Sequence, residues 1–233
     1  MTENRASELA AAAQPGAAAE PGTAAEPGAA AELSGAGGGV HEIEAESYRI
    51  LRSLVDLSRM PPLSRAVTER VIHASADTGY ATDLVCDEAA LAAGREALAG
   101  GASVVADVAM VAAGITGRQV ICKIGESLTA RLSRTAGITR SAAAVRLAFS
   151  ETGPGAVWVV GCAPTALEEI LTRDVRPALV VGLPVGFVGA AEAKEALRSS
   201  GLPAISNVSA KGGSAVAAAA INALLRTLNG AQR

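Results

Sequence analysis

Five short aliphatic runs constrain this chain more than any other feature: Ser103–Ala106, Gln119–Lys123, Ala156–Val160, Ala178–Val181 and Ala204–Val208. Helical stretches at 87–99, 164–172, 190–199 and 212–228 separate most of them. Near-continuous apolar strands must be covered on both faces, and strands that alternate with helices supply that cover as a parallel sheet. The pattern predicts an α/β fold, a flavodoxin-like, doubly wound and mostly parallel sheet of about five strands. Two N-terminal helices are added. One covers residues 42–57, where Ile43, Ile50, Leu51, Leu54 and Val55 recur at helical spacing, and the second opens at Pro61-Pro62.

Residues 1–40 stand apart. The hexapeptides PGAAAE, PGTAAE and PGAAAE repeat from Pro15 to Glu32, and a Pro-Gly pair every sixth residue stops any helix the alanines begin. Nothing there can build a core, so the segment reads as a disordered leader and residues 41–233 as a single domain. Aromatic residues are only 2% of the chain, so the core must come from Val, Ile, Leu and Ala. A net charge of −3 provides no field for nucleic acid. The three cysteines are widely spaced and odd in number, which fits reduced thiols in a cytoplasmic protein rather than a disulfide framework or a metal site. No secretory signal and no membrane-spanning run is evident, so no membrane association is expected.

Several segments have the chemistry of a ligand site. Pro184–Glu195, PVGFVGAAEAKE, follows an apolar strand and leads into a helix, and Gly182, Gly186 and Gly189 allow close backbone approach. It has neither the Lys-Ser/Thr of a P-loop nor a GxGxxG spacing. At Lys211, Gly212, Gly213 and Ser214 a cation, open amides and a hydroxyl converge at a helix start, which suits a carboxylate or phosphate; Ser214 is equally a normal N-cap. Arg140, between Thr139 and Ser141, offers a planar fork for carboxylates at another helix start. The turn before Pro164-Thr165 is either a third anion site or an ordinary strand-to-helix turn.

His73 is the only histidine after His41, so acid–base chemistry near neutral pH falls to it. On a helix from about Leu63 it borders the apolar face of Leu63, Ala66, Val67, Val71 and Ala74. Glu69 lies at i, i+4 and can orient the imidazole and favour its protonated form, or form a plain surface pair with it.

Taken together, SYRIL (Ser47–Leu51), ERVIHA (Glu69–Ala74), ADVAMVAAGI, TRSAAA, GCAPTAL, PVGFVGAAEAKE and KGGS resemble the precorrin-8X methylmutase family of cobalamin biosynthesis, over about Glu46 to Leu225. The resemblance implies a flavodoxin-like homodimer that moves a methyl group from carbon 11 to carbon 12 of a tetrapyrrole-derived macrocycle, with no cofactor, metal or nucleotide. It implies His73 as the general acid/base. It implies substrate contacts from Ser47, Glu69, Arg70 and Arg140; Ser141 and the Lys211–Ser214 segment are expected to add donors for the acidic arms, and hand-over of product to the next pathway enzyme is expected. Val185, Phe187 and Val188 are expected to face the macrocycle. The sequence departs from the family pattern at Glu44, where a tyrosine is usual, and at Cys162 and Ala193. The rival reading is a non-catalytic corrinoid carrier of the same fold, which needs the carboxylate-binding ends but no acid.

Overall fold

A computed structural model describes residues 37–230, with side chains from Glu42 to Leu228. The expected leader lies outside the described residues except for positions 37–40, and the compact unit begins at Glu42. Helix α1 (Gly37–Leu54) starts earlier and stops earlier than its apolar spacing predicts. It is followed by α2 (Pro62–Ser75), a single turn α3 (Tyr80–Asp83), strand β1 (Leu84–Cys86), α4 (Glu88–Ala99) and β2 (Val104–Ala106). Then come α5 (Ala109–Gly114), β3 (Val120–Ile121), α6 (Ser127–Ala136), α7 (Arg140–Thr152) and β4 (Val157–Val160). The chain continues through α8 (Pro164–Thr172), β5 (Leu179–Gly182), α9 (Ala190–Ser199), β6 (Ala204–Asn207) and α10 (Ser214–Gly230).

The strands lie in the order β1-β6-β5-β4-β2-β3. The five from β2 onward are parallel and follow the doubly wound order. The sixth strand, β1, pairs antiparallel with β6 through Leu84↔Asn207 and Cys86↔Ile205 and was not expected. Three residues at a sheet edge are too short for alternation to reveal them.

Two apolar layers flank the sheet. Val104, Ala106, Val157, Val159, Val181 and Ile205 share one core with residues of α2, α4 and α10, including Val67, Leu91 and Ile221. Val105, Trp158, Val160 and Val180 share the other with Val145 of α7, Leu167 of α8 and Leu197 of α9. Alternate residues of β2, β4 and β5 therefore enter opposite cores, which is the period of two of a strand buried on both faces. Gly182 belongs to this packing and not to a ligand approach: a Cβ there would lie 2.4 Å from Leu197 Cδ2. Leu167 and Leu197 close over it, correcting the role expected of this glycine.

Helix α2 packs against α10 and α4. Its start is held from another element. The Glu88 carboxylate accepts the N–H groups of Leu63 at 2.8 Å and Ser64 at 2.9 Å, and the Ser64 hydroxyl at 2.7 Å. Pro61 and Pro62 carry no N–H, so this one carboxylate serves the first donors the helix has. Ala76, in a left-handed conformation at φ 53°, ends it. One helix with both ends fixed thus carries Glu69, Arg70 and His73.

Candidate active site

In a doubly wound sheet the ligand crevice opens where the connections diverge. Here β2 leads outward to β3 while β4 leads the other way to β5, so the divergence lies between β2 and β4. Asp107, one residue beyond β2, closes it. Its carboxylate accepts the N–H groups of Gly161 at 3.1 Å, Cys162 at 2.9 Å and Ala163 at 2.9 Å, and only 4% of the residue is exposed. The amides before α8 are thus occupied by the chain's own carboxylate. Of the two readings of this turn, the structure supports the structural one.

The titratable group expected to act lies elsewhere. His73 Nδ1 is 2.9 Å from Ser47 Oγ of α1, and the Tyr48 ring stacks on the imidazole at a centroid distance of 4.8 Å, nearly parallel at 6°. Nε2 makes no hydrogen bond among the described residues. A hydroxyl can donate to Nδ1 or accept from it, so Ser47 fits the ring in either protonation state. Burial, then the nearby charge of Arg70, holds the His73 pKa below its usual value; Glu44 opposes them.

The expected Glu69–His73 pair does not form. Glu69 receives a two-pronged bond from Arg52, Nε and Nη2 each at 2.9 Å. The carboxylate that influences the imidazole is Glu44, which accepts from Arg70 Nη1 at 2.9 Å and Arg226 Nη1 at 2.7 Å. The bond to Arg226 is the main cause that keeps the Glu44 carboxyl below its usual range. The stronger guanidinium partner captures Glu69, and the imidazole is left with a neutral hydroxyl. Arg70 Nε is buried without a partner, beside a cleft of ≈ 270 Å³ lined by Tyr48, Arg52, Ala66, Glu69, Arg70 and Arg226.

The other expected contacts lie in loops beyond the C-terminal ends of the parallel strands. Lys211 follows β6, and its ammonium is not free: it meets Asp77 Oδ2 at 2.8 Å and lies 5.5 Å from the centre of the Tyr80 ring. Asp77 lies just past the C-terminus of α2, so this ion pair joins the Lys211 loop to the helix that carries His73. Gly212 has φ 152°, and a Cβ there would lie 2.2 Å from the Leu183 carbonyl oxygen. Gly213 N–H donates to that same carbonyl at 2.9 Å, and Ser214 opens α10.

Arg140 is exposed at the start of α7, where Nη2 donates to the Ile124 carbonyl at 2.9 Å, and Ser141 follows it. The Thr139 hydroxyl is 2.8 Å from that of Thr165, tying this helix start to that of α8. No hydrogen bond among the described residues joins Arg140 or Ser141 to His73. In the Pro184–Gly189 loop Phe187 is fully exposed and Val188 88% exposed. The structure thus gathers Ser47, Glu69, Arg70 and His73 into one cluster, links Lys211 to it through Asp77, and leaves Arg140 and Ser141 at a separate end of the sheet edge.

Sequence reasoning missed Asp107, Tyr48 and Lys194. Asp107 has a signal, a lone carboxylate at the end of an apolar strand. Lys194 has one too, since it shares helical spacing with the buried Ala190, Ala193 and Leu197.

Residues 42–227 match the family model described as CbiC, precorrin-8X methylmutase. The chain is 40% identical over 195 residues to the cobalt-precorrin-8 methylmutase of Salmonella typhimurium, covering 78% of this chain and 93% of that one. It is 41% identical over 194 residues to the precorrin-8X methylmutase of Pseudomonas aeruginosa, with the same two coverages, 78% and 93%. A solved structure of precorrin-8x methyl mutase from Thermus thermophilus superposes with a TM-score of 0.75 at 35% identity, covering 82% of this chain and 97% of that one. A match of this length at this identity, on the same doubly wound frame, leads to one conclusion: the chain belongs to the precorrin-8X methylmutase family.

Proposed function

We propose that this protein is an isomerase that moves the carbon-11 methyl group of precorrin-8X to carbon 12, giving hydrogenobyrinic acid in cobalamin biosynthesis. The observation that carries the chemistry is His73, fixed through Nδ1 by Ser47 and through its ring face by Tyr48, with Nε2 open. Protonated His73 delivers its proton from Nε2 to a ring nitrogen or carbon, the methyl migrates within the macrocycle, and the proton is returned. Substrate and product are isomers, so the reaction needs no co-reactant. Lowering the imidazole pKa makes the protonated ring a better donor.

The acetate and propionate arms of the substrate are anionic. Arg70 and Arg226 beside His73, Lys211 at the β6 loop and Arg140 at α7 are the cations that receive them, with Ser141, Gly212, Gly213 and Ser214 supplying hydroxyl and amide donors. Exposed Val185, Phe187 and Val188 cover the apolar face of the ring. The carrier alternative is not favoured, because an imidazole ordered by two partners has no use in a protein that only holds product.

The family reading includes a homodimer. What supports it here is the stripe on α1 of Ile43, Ile50 and Leu54, exposed to 74%, 47% and 66%, on the face that also carries Ser47. Among the described residues no helix is long and apolar enough to cross a membrane, and the three cysteines are free thiols, which supports a cytoplasmic enzyme. Product passes from it to the next enzyme of the pathway. The test is to supply precorrin-8X labelled with carbon-13 in the carbon-11 methyl group and to locate the label by NMR. Label at carbon 12 supports the mutase; label left at carbon 11 under saturating protein refutes it.

A further inference from the structure

Lys194 of α9 is fully buried, with 0% exposure. Its ammonium donates to Asn207 Oδ1 at 2.9 Å, to the Ser209 carbonyl and to the Lys211 carbonyl at 2.6 Å. An ammonium has three protons, and here each has an acceptor, two of them main-chain carbonyls of a single loop. The same loop is gripped from the other side by Asp83, the last residue of α3. Asp83 accepts the N–H groups of Val208 at 3.1 Å and Ser209 at 2.8 Å, the Ser209 hydroxyl at 2.7 Å, and Asn207 Nδ2 at 2.8 Å.

This loop connects the two segments expected to receive substrate. Gly186 N–H donates to the Ala210 carbonyl at 3.2 Å, attaching the Pro184–Gly189 loop to it. In the other direction it runs through Lys211 into Gly212 and Gly213. A buried charge is costly, and an apolar side chain of the same volume would fill the space without that cost. The cationic group is therefore explained by what it holds.

We propose that Lys194 is a positioning residue whose ammonium sets the Val208–Lys211 loop, and through it both the Pro184–Gly189 loop and the Lys211–Ser214 segment, for substrate binding. The inference rests on the function proposed above. The charged groups facing the ammonium are Asp83 from α3, which favours it, and Arg198 from α9, which opposes it and donates to the Asn207 carbonyl. The Lys211 side chain points away to Asp77. Burial pushes the Lys194 pKa down to about 8. Loss of one proton leaves two donors for three acceptors, so the loop loosens in mild base.

The test uses the full chain with precorrin-8X. Lys194→Met keeps the volume and removes the donors; KM is expected to rise about tenfold or more while kcat stays within about twofold. Hydrogen exchange at the Gly186 and Gly213 amides should accelerate in this variant, while the Val159 amide of β4 keeps its protection. Wild-type KM should rise between about pH 7 and about pH 9. Asp83→Asn, which removes the charge favouring the ammonium, should move that rise to lower pH. A folded Lys194→Met protein with unchanged KM and exchange would overturn the inference, as would an unmoved pH midpoint in Asp83→Asn. If Lys194→Met does not fold, the two pH profiles decide. If wild type does not convert precorrin-8X, the functional reading fails, and exchange at Gly186 and Gly213, measured across pH in wild type and Asp83→Asn, still decides whether Lys194 holds the loop.

Discussion

Replacing Asp107 should cost this fold more than its single short side chain suggests. In Asp107→Ala the amides of Gly161, Cys162 and Ala163 all lose their acceptor. Gly161 is buried, whereas Cys162 is exposed and Ala163 half-buried; at about 1–3 kcal/mol for the buried amide and about 0.5–1.5 kcal/mol for each of the other two, whose N–H can turn to water, the gross penalty is about 2–6 kcal/mol. Part of it is recovered. Burial is the largest influence on this carboxyl and raises its pKa above the usual value despite the three amides, so removing the charge also removes a desolvation cost. A net loss of about 2–4 kcal/mol is expected, a large share of the roughly 5–15 kcal/mol that holds a domain together. Asp107→Asn should be milder. Its remaining oxygen can still serve Cys162 and Ala163, while its amide group faces the Gly161 N–H, so the loss is about one bond, or about 1–3 kcal/mol. Urea unfolding with linear extrapolation measures both variants. An Asp107→Ala protein within about 1 kcal/mol of wild type would refute the argument, and so would equal losses in the two variants.

The acid–base assignment gives a signed pH prediction. His73 as a general acid makes kcat/KM rise as pH falls, with an inflection below the usual histidine value because burial and Arg70 depress its pKa. Glu44→Gln removes the charge that opposes them and should move the inflection to still lower pH; Glu69→Gln, whose partner is Arg52, should leave it in place. Pre-steady-state rates across pH check both, and a shift with Glu69→Gln alone would restore the pairing the structure rejects. Ser47→Ala frees the imidazole and should lower kcat/KM about tenfold, equal to about 1.4 kcal/mol, with stability nearly unchanged. Gly212→Ala puts a methyl group against the Leu183 carbonyl and should lower Tm by several degrees and weaken product binding, read by calorimetry.

The parallel core was legible because each of its strands is a dense aliphatic run: VWVV at β4 and LVVG at β5 admit few alternatives. Strand β3 was visible as a run of five residues but only Val120–Ile121 pair, because hydropathy marks burial and not the length of a ladder. The edge strand β1 and the short helices α3 and α5 carry too few residues for periodicity to emerge. Around His73, sequence spacing brought Glu69 near, yet spacing along one helix says nothing of competitors on another. Arg52 of α1 takes Glu69, and Ser47 and Tyr48 of the same helix take the imidazole. The Gly161–Ala163 turn before α8 showed open amides in sequence because their acceptor, Asp107, is 54 residues away from Gly161. Lys194 drew no reading from the sequence, although its place among Ala190, Ala193 and Leu197 on one helical face points it inward.

Whether His73 supplies the proton for methyl migration in precorrin-8X is tested most directly by its removal. Purified wild-type protein and His73→Ala are incubated with precorrin-8X while the visible absorption spectrum follows formation of the corrin chromophore. Conversion is expected with wild type and none with His73→Ala, the variant remaining folded and still binding product. Conversion by His73→Ala at close to the wild-type rate would contradict this role for His73.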